Sequence, residues 1–211
     1  MINYMTNYSD NLKEGVNMSK KIKHKKNPAH RGKEQKIDIE QILLKNRQLF
    51  LFGAIDEKMA YNVTQRMIAL ARISSEPIVL YINSSGGCVD DGFAIIDCMK
   101  GVNVPVITFI VGNACSMAGL VAIAGDKRVI TEHSVIMFHD MQAGIIDYAT
   151  KIEDRAEFYK REQKKLFDFI RKYTNLSEKE IQKAIHGELW LYPQECIKKG
   201  ITDMIAGDKE K

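Results

Sequence analysis

The sequence predicts an α/β fold built on a parallel sheet. Three observations point there. Short apolar segments alternate with helical ones from residue 49 onward. The apolar segments lack a polar face, as strands covered on both sides do. Single helices separate them, which is the length a right-handed crossover between parallel strands needs. The chain has 211 residues, 45% hydrophobic and 27% charged, enough apolar content for one real core and too much for a disordered or fibrous chain.

Residues 1–36 come first and carry nine Lys or Arg against three Asp or Glu, without hydrophobic periodicity. They read as a mobile basic tail, either solvated or touching an anionic surface. The whole chain has a net charge of +4, so the body beyond the tail is near neutral and gives no indication of nucleic-acid binding. The folded domain is expected over 37–205, with a polar tail over 206–211.

Leu49 to Phe52 reads as a strand ending at Gly53, and Asp56 as the cap of a helix with Met59, Val63, Met67, Leu70 and Ala71 on one side. Ile78 to Ile82 is the next strand, followed by a Ser-Ser-Gly-Gly turn and a helix from about Asp91 to Lys100. Val104 to Val111 is a strand running into a helix that begins near Ser116. Val102 to Gly125 carries no charge and is long enough to cross a bilayer, but Pro105 and Gly112-Asn113 interrupt it. Its first half is β-branched and its second rich in Ala, Met and Gly, as a buried strand leading into a buried helix reads. No membrane association is expected. Arg128 to Thr131 and Val135 to Phe138 follow as strands.

From Lys151 to Tyr173, apolar residues recur at steps of four and three, with Gln163 filling one gap. The helix they predict is about 35 Å long, longer than this domain needs, which suits either packing on a partner or lying across its own sheet. Ser177 to Glu180 matches a capping box, and Pro193 and Gly200 bracket a last helix.

Four cysteines form no C-x-x-C pair and five histidines supply no ligand spacing beside them, so neither a zinc site nor a disulfide framework is expected. No cofactor is indicated. The N-terminus shows no secretory signal, which places the chain in a reducing cytoplasm.

Three features bear on chemistry. Ser116, in Gly-Asn-Ala-Cys-Ser-Met-Ala-Gly, stands where a buried strand meets a helix N-terminus. A serine there is most often a helix cap, although the neighbouring N–H groups also suit a developing anion. The spacing is not G-x-S-x-G, which disfavours an α/β-hydrolase. Gly86-Gly87 lets backbone N–H groups face a ligand. His139 ends the strand that follows the serine.

In order, YINSSGG, GFAI, GNACSMAG, VIMFH, the long helix and ELWLYPQECIKKGITDMI resemble the proteolytic subunit of the Clp protease (ClpP) and its relatives, over roughly Leu49 to Ile205. The resemblance implies a ClpP/crotonase-like ββα spiral with a protruding helical handle, assembled as stacked heptameric rings. It implies serine endopeptidase activity on unfolded polypeptides or peptides. Ser116 falls on the family's nucleophile, His139 on its base, and Gly87 and Met117 on its backbone oxyanion donors. The family's triad aspartate falls on Glu188, which has the same charge one methylene further out. Asp140, the nearest carboxylate in sequence, is a poor substitute, since adjacent strand residues face opposite ways.

Other departures are Ser-Ser-Gly-Gly for Ser-Pro-Gly-Gly and Asp140-Met141 for Gln-Pro. The N-terminus is basic, unlike the hydrophobic axial segment that gates the pore in this family, which counts against an AAA+ unfoldase as partner. Two alternatives are a catalytically silent ClpP-like subunit and a crotonase-type acyl-CoA enzyme. The pairing of Ser116 with His139 speaks against the latter.

Overall fold

A computed structural model describes residues 37–208. The tail expected over 1–36 lies outside the described residues. The element order is α1 (Ile39–Lys45), β1 (Gln48–Ile55), α2 (Glu57–Ile73), β2 (Ile78–Gly87), α3 (Val89–Gly101), β3 (Val106–Cys115) and α4 (Met117–Ile123). Then come β4 (Lys127–Ile130), β5 (Val135–His139), α5 (Ile152–Tyr173), α6 (Glu178–His186), β6 (Glu188–Leu191), α7 (Pro193–Lys198) and β7 (Met204–Ile205).

The sheet has seven strands. Its main path runs β1-β2-β3-β4-β7, every pair parallel. β3 serves two partners in succession. Ile107 to Ile110 pair with β4, and Asn113 to Cys115 with β5. β6 then pairs antiparallel with β5, so the sheet is mixed where alternation alone predicted a parallel one.

Sequence chemistry explains the elements. Asp56 accepts from Met59 N at 2.8 Å and opens α2, which buries Ala60, Val63, Met67 and Leu70 at helical spacing. α3 buries Ile95, Ile96 and Met99, and all seven residues of α4 are buried. These helices pack with Leu49, Leu51, Leu80, Ile82 and Ile110 of the sheet into one core. On the opposite sheet face, Phe50, Tyr81 and Phe109 stand in register on adjacent strands, with 5.2 Å between ring centroids in each pair.

Several boundaries differ from the expected ones. β1 does not stop at Gly53. It bulges there, with Gly53 at φ 93° and a register shift between Phe52 and Ala54, then pairs on to Ile55. The Ser-Ser-Gly-Gly segment is not a turn but the end of β2, held extended because Ala54 and Ile55 pair with Gly86 and Gly87. β3 likewise runs to Cys115, since β5 supplies a partner for its last residues. Helix α1 carried no clear sequence signal, as it buries none of its residues fully.

The long helix lies on its own domain over only part of its length. Its C-terminal half buries Leu166, Phe167 and Ile170, while Ile152 and Phe158 in the first half are 44% and 42% exposed. The capping box forms: Ser177 N donates to Glu180 at 2.8 Å. The Arg128 guanidinium donates to Asp203 and to the carbonyls of Tyr173 and Gly200, tying β4 to the end of α5 and to the closing segment. Among the described residues no helix is long and apolar enough to cross a membrane, and the uncharged stretch is divided between β3 and α4.

Candidate active site

Ser116 joins β3 to α4 in a conformation that side chains rarely adopt, φ 55° and ψ −126°. Such a residue costs about 1–3 kcal/mol and persists only where its surroundings fix it. The fixing contacts are close: Ser116 N donates to Met137 O at 2.8 Å, and Gly119 N donates to Ser116 O at 2.9 Å. The Ser116 side chain makes no capping bond, so the ordinary role for a serine at a helix start is not the one it plays here. The turn is a sharp, strained strand-to-helix elbow, although the spacing differs from G-x-S-x-G.

β2 ends against this elbow. A Cβ on Gly86 would lie 2.7 Å from Cys115 O, 2.8 Å from Ser116 Cβ and 3.0 Å from Met117 N, and Gly86 has φ 93°. Only a glycine lets the two backbones approach so closely. On its other side a Cβ on Gly87 would meet Ile55 O at 2.2 Å, and Cys88 N donates to that same carbonyl at 2.9 Å. The Gly86-Gly87 backbone is thus wedged between β1 and the serine turn. Met117 begins α4, where no preceding intrahelical carbonyl is available to its N–H. Gly86 therefore brings the end of β2 against the Ser116–Met117 peptide, with Gly87 next in the chain and packed on Ile55.

His139 ends β5, and strand pairing sets its place. Cys115 is in register with Met137, so Ser116 follows beside the last residues of β5. On the other side of β5, His139 faces Glu188 directly in the antiparallel ladder. Directly opposed residues have Cβ atoms about 5 Å apart on the same face. Ser116, His139 and Glu188 come together at one end of β3, β5 and β6, although 72 residues separate the first from the last in the chain.

The hydrogen bonds of these side chains run elsewhere. Among the described residues none joins Ser116 Oγ to His139 or His139 to Glu188. The Glu188 carboxylate instead accepts from the Trp190 indole Nε1 at 2.7 Å. Trp190 is two residues further along β6, on the same face, opposite Met137. Cys115 shares this face: burial pushes its thiol up, and the Glu188 charge pushes it further the same way.

Asp140 stays out of this group. Both its oxygens accept from Gln163 Nε2, at 2.7 and 2.8 Å, and one also accepts from Met141 N. It fastens the end of β5 to α5. Sequence reasoning marked Gln163 as a gap in the apolar stripe, and that gap was the signal for a polar contact. It did not find Gly86 or Trp190 individually. A paired glycine was visible for the first; for the second, the i, i+2 spacing from Glu188 becomes informative only once the segment is known to be a strand.

Among the described residues no group of three His, Cys, Asp or Glu side chains could hold a metal ion. The arrangement brings a strained hydroxyl, an imidazole and a carboxylate to one end of the sheet, groups of the kind that acyl transfer uses. A model of the Clp protease family matches residues 31–209, nearly the whole chain, and the chain belongs to that family.

Proposed function

We propose that this member of the Clp protease family is a serine endopeptidase that cleaves unfolded proteins or peptides through an acyl-enzyme, within a ring-shaped homo-oligomer. The observation that carries the reading is the Ser116 elbow. A serine held at φ 55°, without a capping bond and against a glycine wedge, has the strained strand-to-helix placement that suits a nucleophile.

In this mechanism Ser116 Oγ attacks the scissile carbonyl carbon as His139 takes its proton. The tetrahedral oxyanion accepts hydrogen bonds from the Gly87 and Met117 N–H groups. Loss of one such donor typically costs about 10²–10³ in turnover. His139 then gives the proton to the departing amine, and the acyl group stays on Ser116. A water, deprotonated by His139, attacks the ester, and the acid product leaves with the serine restored. Glu188 holds the imidazole in the required tautomer and offsets the charge it gains. No metal or nucleotide takes part in the subunit's own chemistry.

Ser116→Ala should abolish peptide hydrolysis while leaving the oligomer intact by light scattering. Retained hydrolysis would sink the assignment. A second reading, a silent subunit that needs an active paralogue, is favoured by one observation: Glu188 is bonded to Trp190 and not to His139. Its mark would be an assembled wild-type protein with no turnover alone. The polypeptide substrate and any unfoldase partner belong to this proposal as well. The basic N-terminal sequence still counts against an unfoldase.

A further inference from the structure

We propose that Trp190 is a positioning residue that holds the Glu188 carboxylate for His139, an inference that rests on the triad reading above. Glutamate at this position has one more rotatable bond than aspartate, so its carboxylate would sample several rotamers at an exposed strand end. The structure contains a device that removes this freedom. Trp190 Nε1 donates to Glu188 Oε2 at 2.7 Å, a short bond to a charged acceptor.

The placement also suits the role. Glu188 and Trp190 are i and i+2 on β6 and so lie on the same face, opposite His139 and Met137 respectively. An indole has one N–H and no acceptor, so it binds one carboxylate oxygen and leaves the other. Glu188 stands directly across the ladder from His139, so a carboxylate anchored on this face of β6 stays beside the histidine strand. A supporting donor of this kind fixes an acid as an outer-shell ligand fixes a metal-bound histidine.

The test is a double-mutant cycle on peptide hydrolysis, with assembly and thermal midpoint checked for each variant. Trp190→Phe keeps the ring and deletes the N–H. It should lower kcat about tenfold with KM within about twofold. In a Glu188→Asp background the shorter carboxylate no longer reaches the indole, so the same substitution should change kcat by less than about twofold. Trp190→His, which restores a ring N–H, should recover part of the loss; no recovery would contradict the proposal.

An equal fall in both backgrounds would make Trp190 a packing residue and overturn the proposal. So would no effect in either, or a rise in kcat, which would mean that the indole withholds the carboxylate. Glu188→Gln separates the two levels. If it abolishes turnover while Trp190→Phe does nothing, only this inference fails. If it leaves turnover intact, Glu188 is not the triad acid and the triad reading fails with it.

Discussion

Ser116 shows how a site is assembled from local necessities. Its φ of 55° is imposed by a strand that must hand its chain to a buried helix within one residue, with its own N–H committed to Met137 O. Gly86 is the complement of that strain. Its missing side chain admits β2 to within contact of the Ser116–Met117 peptide, and a methyl there would meet backbone atoms that cannot swing aside. Gly86→Ala is therefore expected to displace the Ser116–Met117 peptide, including the proposed oxyanion donors, and lower turnover by about 10²-fold or more. Steady-state hydrolysis with a matched thermal melt checks this, and wild-type turnover would contradict the geometry. The serine, the histidine and the glycine pair could be singled out as candidates in the sequence because each sits at an apolar strand end, where a polar or permissive residue stands out. The strain on the serine was not. The sequence favours a helix cap there, and only the backbone angles and the absent capping bond set that role aside.

Helix α5 and the β5–β6 pair carry the consequences at the next scale. The periodicity of α5 revealed an apolar stripe but not that its two halves have different fates. Leu166, Phe167 and Ile170 are covered by the chain's own core, whereas Ile152 and Phe158 remain exposed with Ile146 and Tyr148 just before the helix. Exposed apolar side chains along this half-helix are the surface on which ring assembly, if this chain assembles as its family generally does, would be expected to depend. Phe158→Asp should shift the protein from its full assembly to smaller species at unchanged thermal stability of the subunit, measured by light scattering and calorimetry. An unaltered assembly would show that this half-helix faces solvent. The β5–β6 pair was hidden for a different reason. Glu188 to Leu191 is only four residues long, and a parallel sheet was the simplest topology that the preceding alternation suggested. Antiparallel pairing is nonetheless what sets Glu188 opposite His139. No strand–helix alternation encodes that register.

At the scale of the whole molecule, the α/β class and the core were legible because buried strands and amphipathic helices have distinct periods, as Ile78 to Ile82 and Ala60 to Leu70 illustrate. The forked partnership of β3, with β4 on its first half and β5 on its last residues, was not legible, because pairing depends on contacts far apart in the chain. That fork brings the serine turn to the histidine strand, and the site depends on it. Everything proposed for this molecule depends on the fold activating Ser116 as a nucleophile. The direct measurement is reaction of the assembled protein with a fluorophosphonate, read by intact mass and peptide mapping beside Ser116→Ala. The account predicts a single adduct on Ser116 that the alanine variant does not form. An assembled wild-type protein that takes up no label, or one labelled equally in both proteins, would contradict it.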